Sequence, residues 1–174
     1  MLNALDFGLP QKRERTFIVG YLDSVHFQFP VRICKPVSLT EILEPDEVVD
    51  RKLWASEPIV AKRLERTKGE PFYPSIWDEN KGGNVTILPY SCALRAGGSN
   101  NHLLVNGKRR PSPRELMRLQ GFPDTYPIVV NYAAMRKLTG NSVAVPVIEA
   151  LAGSMLHTMT QPVRVRSATQ LVFP

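Results

Sequence analysis

One apolar run constrains the fold of this chain more than any other feature of its sequence. Residues 16–22 read Thr-Phe-Ile-Val-Gly-Tyr-Leu, a β-branched and aromatic stretch in which apolar and polar residues do not alternate. That pattern predicts a strand buried on both faces, as in the central sheet of an α/β protein. Because such a strand must be flanked by other strands and covered by helices, the remaining elements decide whether the chain can complete its own fold.

Few of the remaining elements could cover such a strand. A short helix is predicted to begin at Ser38 or Thr40 and to end at Pro45, and residues 54–111 are predicted to form a loop-rich, mostly β module. A last helix is predicted to begin between residues 142 and 145. Its predicted apolar stripe comprises Ile148, Leu151, Ala152 and Met155. One central strand and one packing helix cannot complete a layered sheet, so we predict an α/β fragment of a larger fold.

The clearest helix signal lies between these two regions. Ser112 is a candidate N-cap, Pro113 occupies the first helical position, and Glu115 closes a capping box. Gly121 is predicted to end the helix, and Pro123 prevents its continuation. Residues 112–121 therefore predict one short helix with both ends defined.

The charge balance favours a polyanionic partner. The 174 residues include 22 Lys and Arg against 16 Asp and Glu, a formal net charge of +6 with a pI of about 9.5.

Cys34 and Cys92 form no Cys-x-x-Cys pair and the histidines lack metal-ligand spacing, so we predict no metal site and two small buried cysteines. The N-terminus has no signal-peptide pattern and no apolar run approaches membrane-spanning length, so we expect a cytoplasmic protein without a membrane partner.

Three long polar side chains precede the apolar run at every second position. In an extended segment Gln11, Arg13 and Arg15 share one face, while Lys12 and Glu14 point away. Two neighbouring guanidiniums repel each other unless an anion or strong acceptor lies opposite. The pattern therefore indicates either a fork directed at a phosphate or a base carbonyl, or an exposed edge with acidic partners.

Three segments resemble motifs of the bacterial DNA cytosine-5 methyltransferases. FGLPQKRERTFIVGY (residues 7–21) resembles the eighth motif, RRPSPRELMRLQGFPDTY (109–126) the ninth, and LTGNSVAVPVIEAL (138–151) the tenth, in the family's order. The resemblance implies that the strand and the C-terminal helix belong to a Rossmann-like, S-adenosylmethionine-dependent methyltransferase domain, with a loop-rich, mostly β target recognition domain between them. The implied organisation is 1–30 and 139–157 in the catalytic domain, 31–138 in the recognition domain and 158–174 as a tail.

The resemblance also implies roles for single residues. Arg15 matches the arginine that binds O2 of a flipped-out cytosine, and Arg13 and Gln11 match positions that hold the flipped nucleotide's backbone and organise its pocket. Three residues match the S-adenosylmethionine site, namely Asn141, Ser142 and Phe122, and the alternative for Phe122 is a position in the core. The Gly-Asn-Ser turn is expected to start a helix and to offer amides and a hydroxyl to the cofactor's carboxylate. The ninth-motif pair, Arg114 and Glu115, is expected to hold the recognition domain or to cap a helix.

Double-stranded DNA is the implied partner. The Gly-rich segment over residues 80–107 is expected to read base edges through Arg95, Asn100 and Asn101. Three neighbouring cations are expected to contact phosphates, namely Lys108, Arg109 and Arg110. The alternative is a Gly-rich surface loop followed by a solvated run of charge.

The sequence departs from the family's pattern in what it lacks. It contains neither the Gly-rich cofactor loop, nor the Pro-Cys dipeptide with the nucleophilic thiol, nor the Glu-Asn-Val acid. Three interpretations follow: the C-terminal subunit of a split methyltransferase whose N-terminal partner supplies these motifs, an inactive remnant, or a DNA-binding module without chemistry. We favour the first, in which this chain alone is inactive and a cognate restriction endonuclease belongs to the same system.

Overall fold

The computed structural model describes residues 1–32, 34–97 and 102–160. Its strands are β1 (Leu2–Asn3), β2 (Gln11–Lys12), β3 (Glu14–Arg15), β4 (Ile76–Glu79), β5 (Val85–Leu88), β6 (Ser91–Cys92) and β7 (Leu103–Val105). Its α-helices are α1 (Leu39–Ile42), α2 (Glu57–Glu65), α3 (Pro113–Leu119), α4 (Tyr132–Asn141) and α5 (Val145–Thr160). Single 3-10 turns occupy Ala4–Asp6, Asp46–Val48 and Arg51–Leu53.

A three-stranded antiparallel sheet forms the middle of the chain, in the order β5-β4-β7. Trp77 on the central strand lies opposite Ile87 on one side and Leu104 on the other. Trp77 and Leu104 are buried, so one face of the sheet is closed. The predicted strands in this region are confirmed, but the module is less β-rich than expected because the nine-residue helix α2 precedes the sheet.

Four helix ends follow from local sequence as predicted. Ser38 caps α1 in a capping box with Glu41, and Ser112 caps α3 in a capping box with Glu115. Gly121 follows α3 with φ +83°, the left-handed conformation that glycine tolerates after a helix end. Helix α5 begins at Val145, within the predicted interval.

The predicted stripe of α5 is wrong in part. Leu151 is buried, but Ala152 is exposed, and the other buried side chains of the helix are Val147 and Thr158. Val147 packs with the N-terminal residues rather than against a sheet. The face that contacts the rest of the described chain is therefore rotated from the one that apolarity alone selects.

The predicted strand at residues 16–22 is also wrong. The segment forms no regular strand, and Ile18 and Leu22 are 95% and 107% exposed. Phe17 and Tyr21 lie on its other side, where Phe17 packs on the N-terminal cluster and the Tyr21 hydroxyl donates to Met155 O. Because strand hydrogen bonds come from neighbouring strands and none in the described ranges borders this segment, a strand-like sequence alone does not produce a strand here.

Two buried clusters position the functional side chains. The larger joins α1, the sheet, α3 and α4; its central members are Leu39, Ile76, Leu103, Leu116 and Met135. The smaller joins the N-terminal turn to the start of α5 through Ala4, Phe7, Leu9, Ala144 and Val147. The segment that carries Gln11, Arg13 and Arg15 runs between these two clusters.

The apolar stretch Tyr132–Thr160 meets a length and composition criterion for a membrane span, with a mean hydropathy of 1.3. It is, however, two helices that are interrupted at residues 142–144. The 16-residue α5 spans about 24 Å at 1.5 Å per residue, less than the roughly 30 Å of a hydrocarbon core. The absence of a membrane partner stays a prediction.

Candidate functional site

Gln11 and Arg13 are buried and bind backbone groups of distant segments, so they do not form an exposed fork. Gln11 is 0% exposed; its Nε2 donates to Leu119 O at 2.6 Å, and its Oε1 accepts from Leu94 N at 3.1 Å. Arg13 is 5% exposed and donates to Leu94 O (3.0 Å), Gly140 O (3.1 Å) and Ser142 O (2.6 Å). Strong acceptors therefore lie opposite this face, and the exposed-edge alternative is wrong for both side chains.

Burial also rules out a direct contact between Gln11 and a nucleotide in this arrangement, because no part of its side chain reaches solvent. The position can organise a pocket only through Leu94 and Leu119, the residues it holds. The implied contact of Arg13 with a nucleotide backbone meets the same obstacle, since its terminal nitrogens are occupied by carbonyl oxygens.

Arg15 is the exposed member of the predicted triplet. Its Nη1 donates to the neighbouring Glu14 O at 2.6 Å, and the side chain borders a recess of about 210 Å³. Phe17, Val143 and Val147 are among the apolar residues that line this recess.

The turn between α4 and α5 differs from the expected anion site. Asn141 is the last residue of α4 and Ser142 its C-cap, so the Gly-Asn-Ser sequence ends a helix instead of starting one. Ser142 N donates to Leu138 O and Ser142 Oγ donates to Thr139 O. The expected offer of amides and a hydroxyl to a carboxylate is therefore wrong, since a helix C-terminus carries partial negative charge and these donors are engaged.

The remaining predicted cofactor residues are Asn141 and Phe122. Asn141 is exposed and lies two residues before Val143, which lines the recess, and its amide can donate and accept hydrogen bonds. Phe122 is half-buried, packs on the larger cluster and meets Tyr126 edge-on with ring centroids 5.1 Å apart. Of the three residues, the exposed Asn141 fits a ligand-binding role best.

Arg109 is a buried ion-pair residue, which corrects the predicted phosphate contact. It is 1% exposed; its guanidinium binds Glu115 through two nitrogens at 2.8 and 2.9 Å and Asp46 at 2.8 Å. Burial lowers the pKa of Arg109, but the hydrogen bonds and charges of Glu115 and then Asp46 outweigh it and raise the pKa overall. A guanidinium engaged in this way cannot reach a DNA backbone.

Glu115 is completely buried at the centre of this network. Besides Arg109, its carboxylate accepts from Glu44 N at 2.8 Å and from Ser112 N at 2.7 Å. Glu115 thus joins the start of α3 to the segment after α1, beyond capping its own helix. Arg114 takes no part in this network, because its Nη1 donates to Tyr126 O at 3.0 Å on the surface side of α3.

The other predicted DNA contacts lie on the surface. Lys108 and Arg95 are exposed, and Arg110 is half-buried with its guanidinium 5.1 Å from the Tyr132 ring. Arg95 borders a second recess, of about 330 Å³. Asn100 and Asn101 lie outside the described residues, as does the tail beyond residue 160.

Sequence reasoning missed the side chain that packs on the β4–β5 turn. Asn80 closes this turn, since its carbonyl accepts from Gly83 N and its side chain accepts from Asn84 N. The exposed guanidinium of Arg66 covers Gly83 so closely that a Cβ there would lie 2.2 Å from Nη1. Adjacent glycines in the sequence signalled a close approach, but nothing local identified Arg66, which lies 17 positions earlier, as the approaching group.

The two cysteines lie in different settings, one exposed and one partly buried. Cys34 is exposed, contrary to prediction, because it lies at the edge of the N-terminal segment opposite Phe7. Burial, then the charge of Asp78 and the hydrogen bond to it, raise the pKa of Cys92 to about 12, so its thiol stays protonated near neutral pH. Among the residues that the structure describes, no group of three or more His, Cys, Asp or Glu could hold a metal ion.

Comparison with known proteins identifies relatives over nearly the whole chain. The family model for C-5 cytosine-specific DNA methylase matches residues 1–157. The type II methyltransferase M.HaeII of Haemophilus aegyptius is 54% identical over 164 residues, and M.NgoBI of Neisseria gonorrhoeae is 57% identical over 150. These alignments cover 94% and 86% of this chain but 52% and 47% of the relatives, so the chain spans about half of their length.

Solved structures share the fold at low sequence identity. The methyltransferase EhMeth of Entamoeba histolytica matches 92% of this chain and 53% of its own with a TM-score of 0.64 at 13% identity. The DNMT2 of Spodoptera frugiperda matches 88% of this chain and 56% of its own with a TM-score of 0.55 at 17% identity. The mixed α/β architecture is therefore that of part of a methyltransferase fold.

Proposed function

This chain belongs to the C-5 cytosine-specific DNA methylase family, and from that membership we propose that it is the C-terminal, target-recognising portion of an enzyme that methylates cytosine C5 in double-stranded DNA. The observation that carries the proposal is the exposed Arg15 beside a recess bounded by Val143 and Val147. A donor for the base and the turn proposed for the cofactor thus meet at one opening.

Arg15 is proposed to bind O2 of a cytosine turned out of the duplex. Because the target atom is inaccessible inside the base stack, the base must be extruded before reaction. A donor at O2 stabilises the negative charge that builds up on the ring when a thiolate adds at C6. An arginine suits this role because its guanidinium remains charged at every physiological pH.

The thiolate and the acid at N3 are proposed to come from outside these 174 residues. The sequence contains no Pro-Cys or Glu-Asn-Val segment, and the raised pKa of Cys92 makes that thiol a poor nucleophile. The relatives are about twice as long as the matched region. An N-terminal methyltransferase half, in the same polypeptide or in a partner chain, is proposed to supply both groups.

S-adenosylmethionine is the proposed methyl donor, and it supplies an electrophilic methyl group when bound. Asn141 would hold it through its exposed amide, with Phe122 as an apolar neighbour. Ser142 would act by fixing the turn, because its hydroxyl and amide already bind α4. The rest of the cofactor site would lie on the N-terminal half.

The proposed organisation follows the family. Residues 1–30 and 139–157 would complete a Rossmann-like catalytic domain, and residues 31–138 would form the target recognition domain. Arg95 would read base edges, and Lys108 and Arg110 would contact phosphates. The relatives' designation as type II methyltransferases supports a restriction-modification system with a cognate endonuclease, and we propose a cytoplasmic location.

Reconstitution tests this proposal. The chain would be mixed with the part of the Haemophilus aegyptius relative that it does not match, and transfer of labelled methyl groups to unmethylated plasmid DNA would be measured. Arg15→Ala should lower the transfer rate about 10²–10³-fold, as removal of a charge-stabilising donor does, with little change in DNA binding. Arg32→Ala, at an exposed arginine 3.7 Å from Asp6, is the matched control and should retain the rate.

Two outcomes would contradict the proposal. Equal losses of methyl transfer and DNA binding in Arg15→Ala would remove the side chain from the chemistry. DNA binding by the chain with no methyl transfer in any reconstituted mixture would instead favour a recognition module or an inactive remnant.

A further inference from the structure

Arg13 joins three segments that the proposed function uses separately. Its two terminal nitrogens bind carbonyls of Leu94, beside the proposed base reader Arg95, and of Gly140 and Ser142, which flank Asn141. Along the chain it lies two residues before Arg15. One side chain therefore connects the recognition segment, the cofactor turn and the strand of the base-binding arginine.

The recognition segment is held from two directions. Both polar groups of the Leu94 backbone are bound from the N-terminal segment, the N–H by Gln11 and the carbonyl by Arg13. From the other side, Gly140 approaches so closely that a Cβ would lie 2.3 Å from Ala96 N. The backbone over residues 94–96 is thus fixed between the N-terminal segment and α4, and Arg95 lies at its middle.

The electrostatic surroundings of Arg13 suit it to fixing the positions of the carbonyls that it binds more than to stabilising the fold. Burial, and then the charge of Arg15, lower the pKa of Arg13, and the acceptors of its terminal nitrogens are neutral carbonyls. In the described part of the chain its buried Nε has no hydrogen-bond partner. Burying a charge without a carboxylate is costly, but a planar guanidinium can hold carbonyls from two segments at fixed separation, which a single ammonium cannot.

We propose that Arg13 is a positioning residue for target discrimination: it fixes Arg95 relative to the α4–α5 turn and Arg15, so that a base pair read at Arg95 is aligned with the reacting site. The inference rests on the proposed function, because it concerns the same DNA-methylating site. It assigns Arg13 no contact with nucleotide or cofactor.

Two variants disturb this connection in different ways. Arg13→Lys retains the charge but not the fork that reaches both segments, and Gly140→Ala leaves Arg13 intact but pushes the backbone at Ala96. Gly153→Ala is the matched control, since it is also a helical glycine but has no atom within 4 Å of an added Cβ. All three would be assayed in the reconstituted enzyme, with the methylated sites identified by bisulfite sequencing of plasmid DNA.

The readout is a ratio of rates, namely kcat/KM at the preferred site over kcat/KM at sites that differ by one base pair. Both test variants should lower this ratio by about tenfold, the scale of one lost base-pair discrimination, and Gly153→Ala should leave it unchanged. A purely structural role would reduce the active fraction and so lower both rates equally. An unchanged ratio in both variants would overturn the inference while leaving the proposed function intact.

Hydrogen exchange on this chain alone gives a readout that needs no activity. In Arg13→Lys, exchange should accelerate together at the Leu94 amide and at the amides of Ser142 and Val145, relative to the unchanged chain and to Gly153→Ala. Acceleration confined to one of the two segments would show that Arg13 does not connect them, and would overturn the inference. If no mixture of unsubstituted chains methylates DNA, the proposed function fails and target discrimination fails with it, and this measurement then decides only whether Arg13 connects the two segments.

Discussion

The side chains of Arg109 and Glu115 are 1% and 0% exposed and carry opposite charges. Each charge therefore has the other, in place of water, as its partner. The Arg109 guanidinium donates two hydrogen bonds to Glu115, one to Asp46 and one to Glu44 O, at the corner where α3 begins. Such a pair contributes little net stability against an apolar replacement, but removal of one member leaves a buried charge without a partner. Loss of Arg109 alone should therefore lower the free energy of unfolding by much more than the intact ion pair contributes to it.

Arg109→Ala should accordingly destabilise the chain by about 3–5 kcal/mol, because Glu115 would stay buried without a counter-ion. Urea unfolding followed by circular dichroism measures the free energy. Lys108→Ala, at the exposed neighbouring residue, is the matched control and should change it by less than about 0.5 kcal/mol. A loss below about 1 kcal/mol for Arg109→Ala would mean that Glu115 is not held as the geometry indicates.

At the scale of elements, the turn after β7 shows how a glycine can be required by packing as well as by conformation. Asn106 and Gly107 both have positive φ, 52° and 70°. The missing side chain of Gly107 leaves room for the Trp77 ring of β4, which would lie 2.5 Å from a Cβ there. The turn therefore closes the sheet over its largest buried side chain.

Gly107→Ala should cost about 1–3 kcal/mol more than Gly69→Ala, which is the scale of overpacking in a close-packed core. Gly69 also has positive φ, 92°, but has no atom within 4 Å of an added Cβ, so the two variants share the conformational cost and differ in packing. Thermal unfolding of both variants gives the comparison. Equal losses would show that conformation alone selects glycine at position 107.

Local signals predicted elements where the determining groups are near in sequence. The capping boxes at Ser38 and Ser112 are complete within four residues, and both helices begin as predicted. The strand at residues 16–22 depends on neighbours that its own residues cannot supply, and the described chain leaves it irregular. Helices α2 and α4 were missed although both are rich in strong helix formers such as Ala, Leu, Lys and Arg, and although Asn131 caps α4.

The residues of the candidate site show the same difference between features that nearby residues determine and features that distant residues determine. Burial of Gln11 and Arg13 was not predictable because their acceptors and donors lie from 81 to 129 positions away. In the sequence, Lys108, Arg109 and Arg110 are three neighbouring cations that nothing distinguishes. Only the contacts with Asp46 and Glu115 in the structure identify Arg109 as the buried one. Alternation did place Lys12 outward, since that rule needs nothing beyond the strand itself.

At the scale of the whole molecule, apolar side chains remain open on two adjoining elements. Ile18 and Leu22 are exposed on the N-terminal segment, and Leu156 and Met159 on α5 are 63% and 67% exposed. The Tyr21 hydroxyl joins the two elements through Met155 O. Since the chain spans about half the length of its relatives, these side chains form the surface against which we propose the N-terminal half to pack.

Charge distribution over the whole molecule predicts how DNA binding depends on salt. Lys108→Ala should weaken binding to all duplex sequences and reduce the slope of log Kobs against log salt concentration by about 0.9, the value for one lost phosphate contact. Lys108→Arg is the control and should retain the slope because it retains the charge. Fluorescence anisotropy with the reconstituted enzyme, on cognate and random duplexes, measures both. Lys108 is chosen because it is exposed, whereas Arg109 is buried. If Lys108→Ala lowered the slope and also altered the sequence preference, Lys108 would contact a base and not a phosphate.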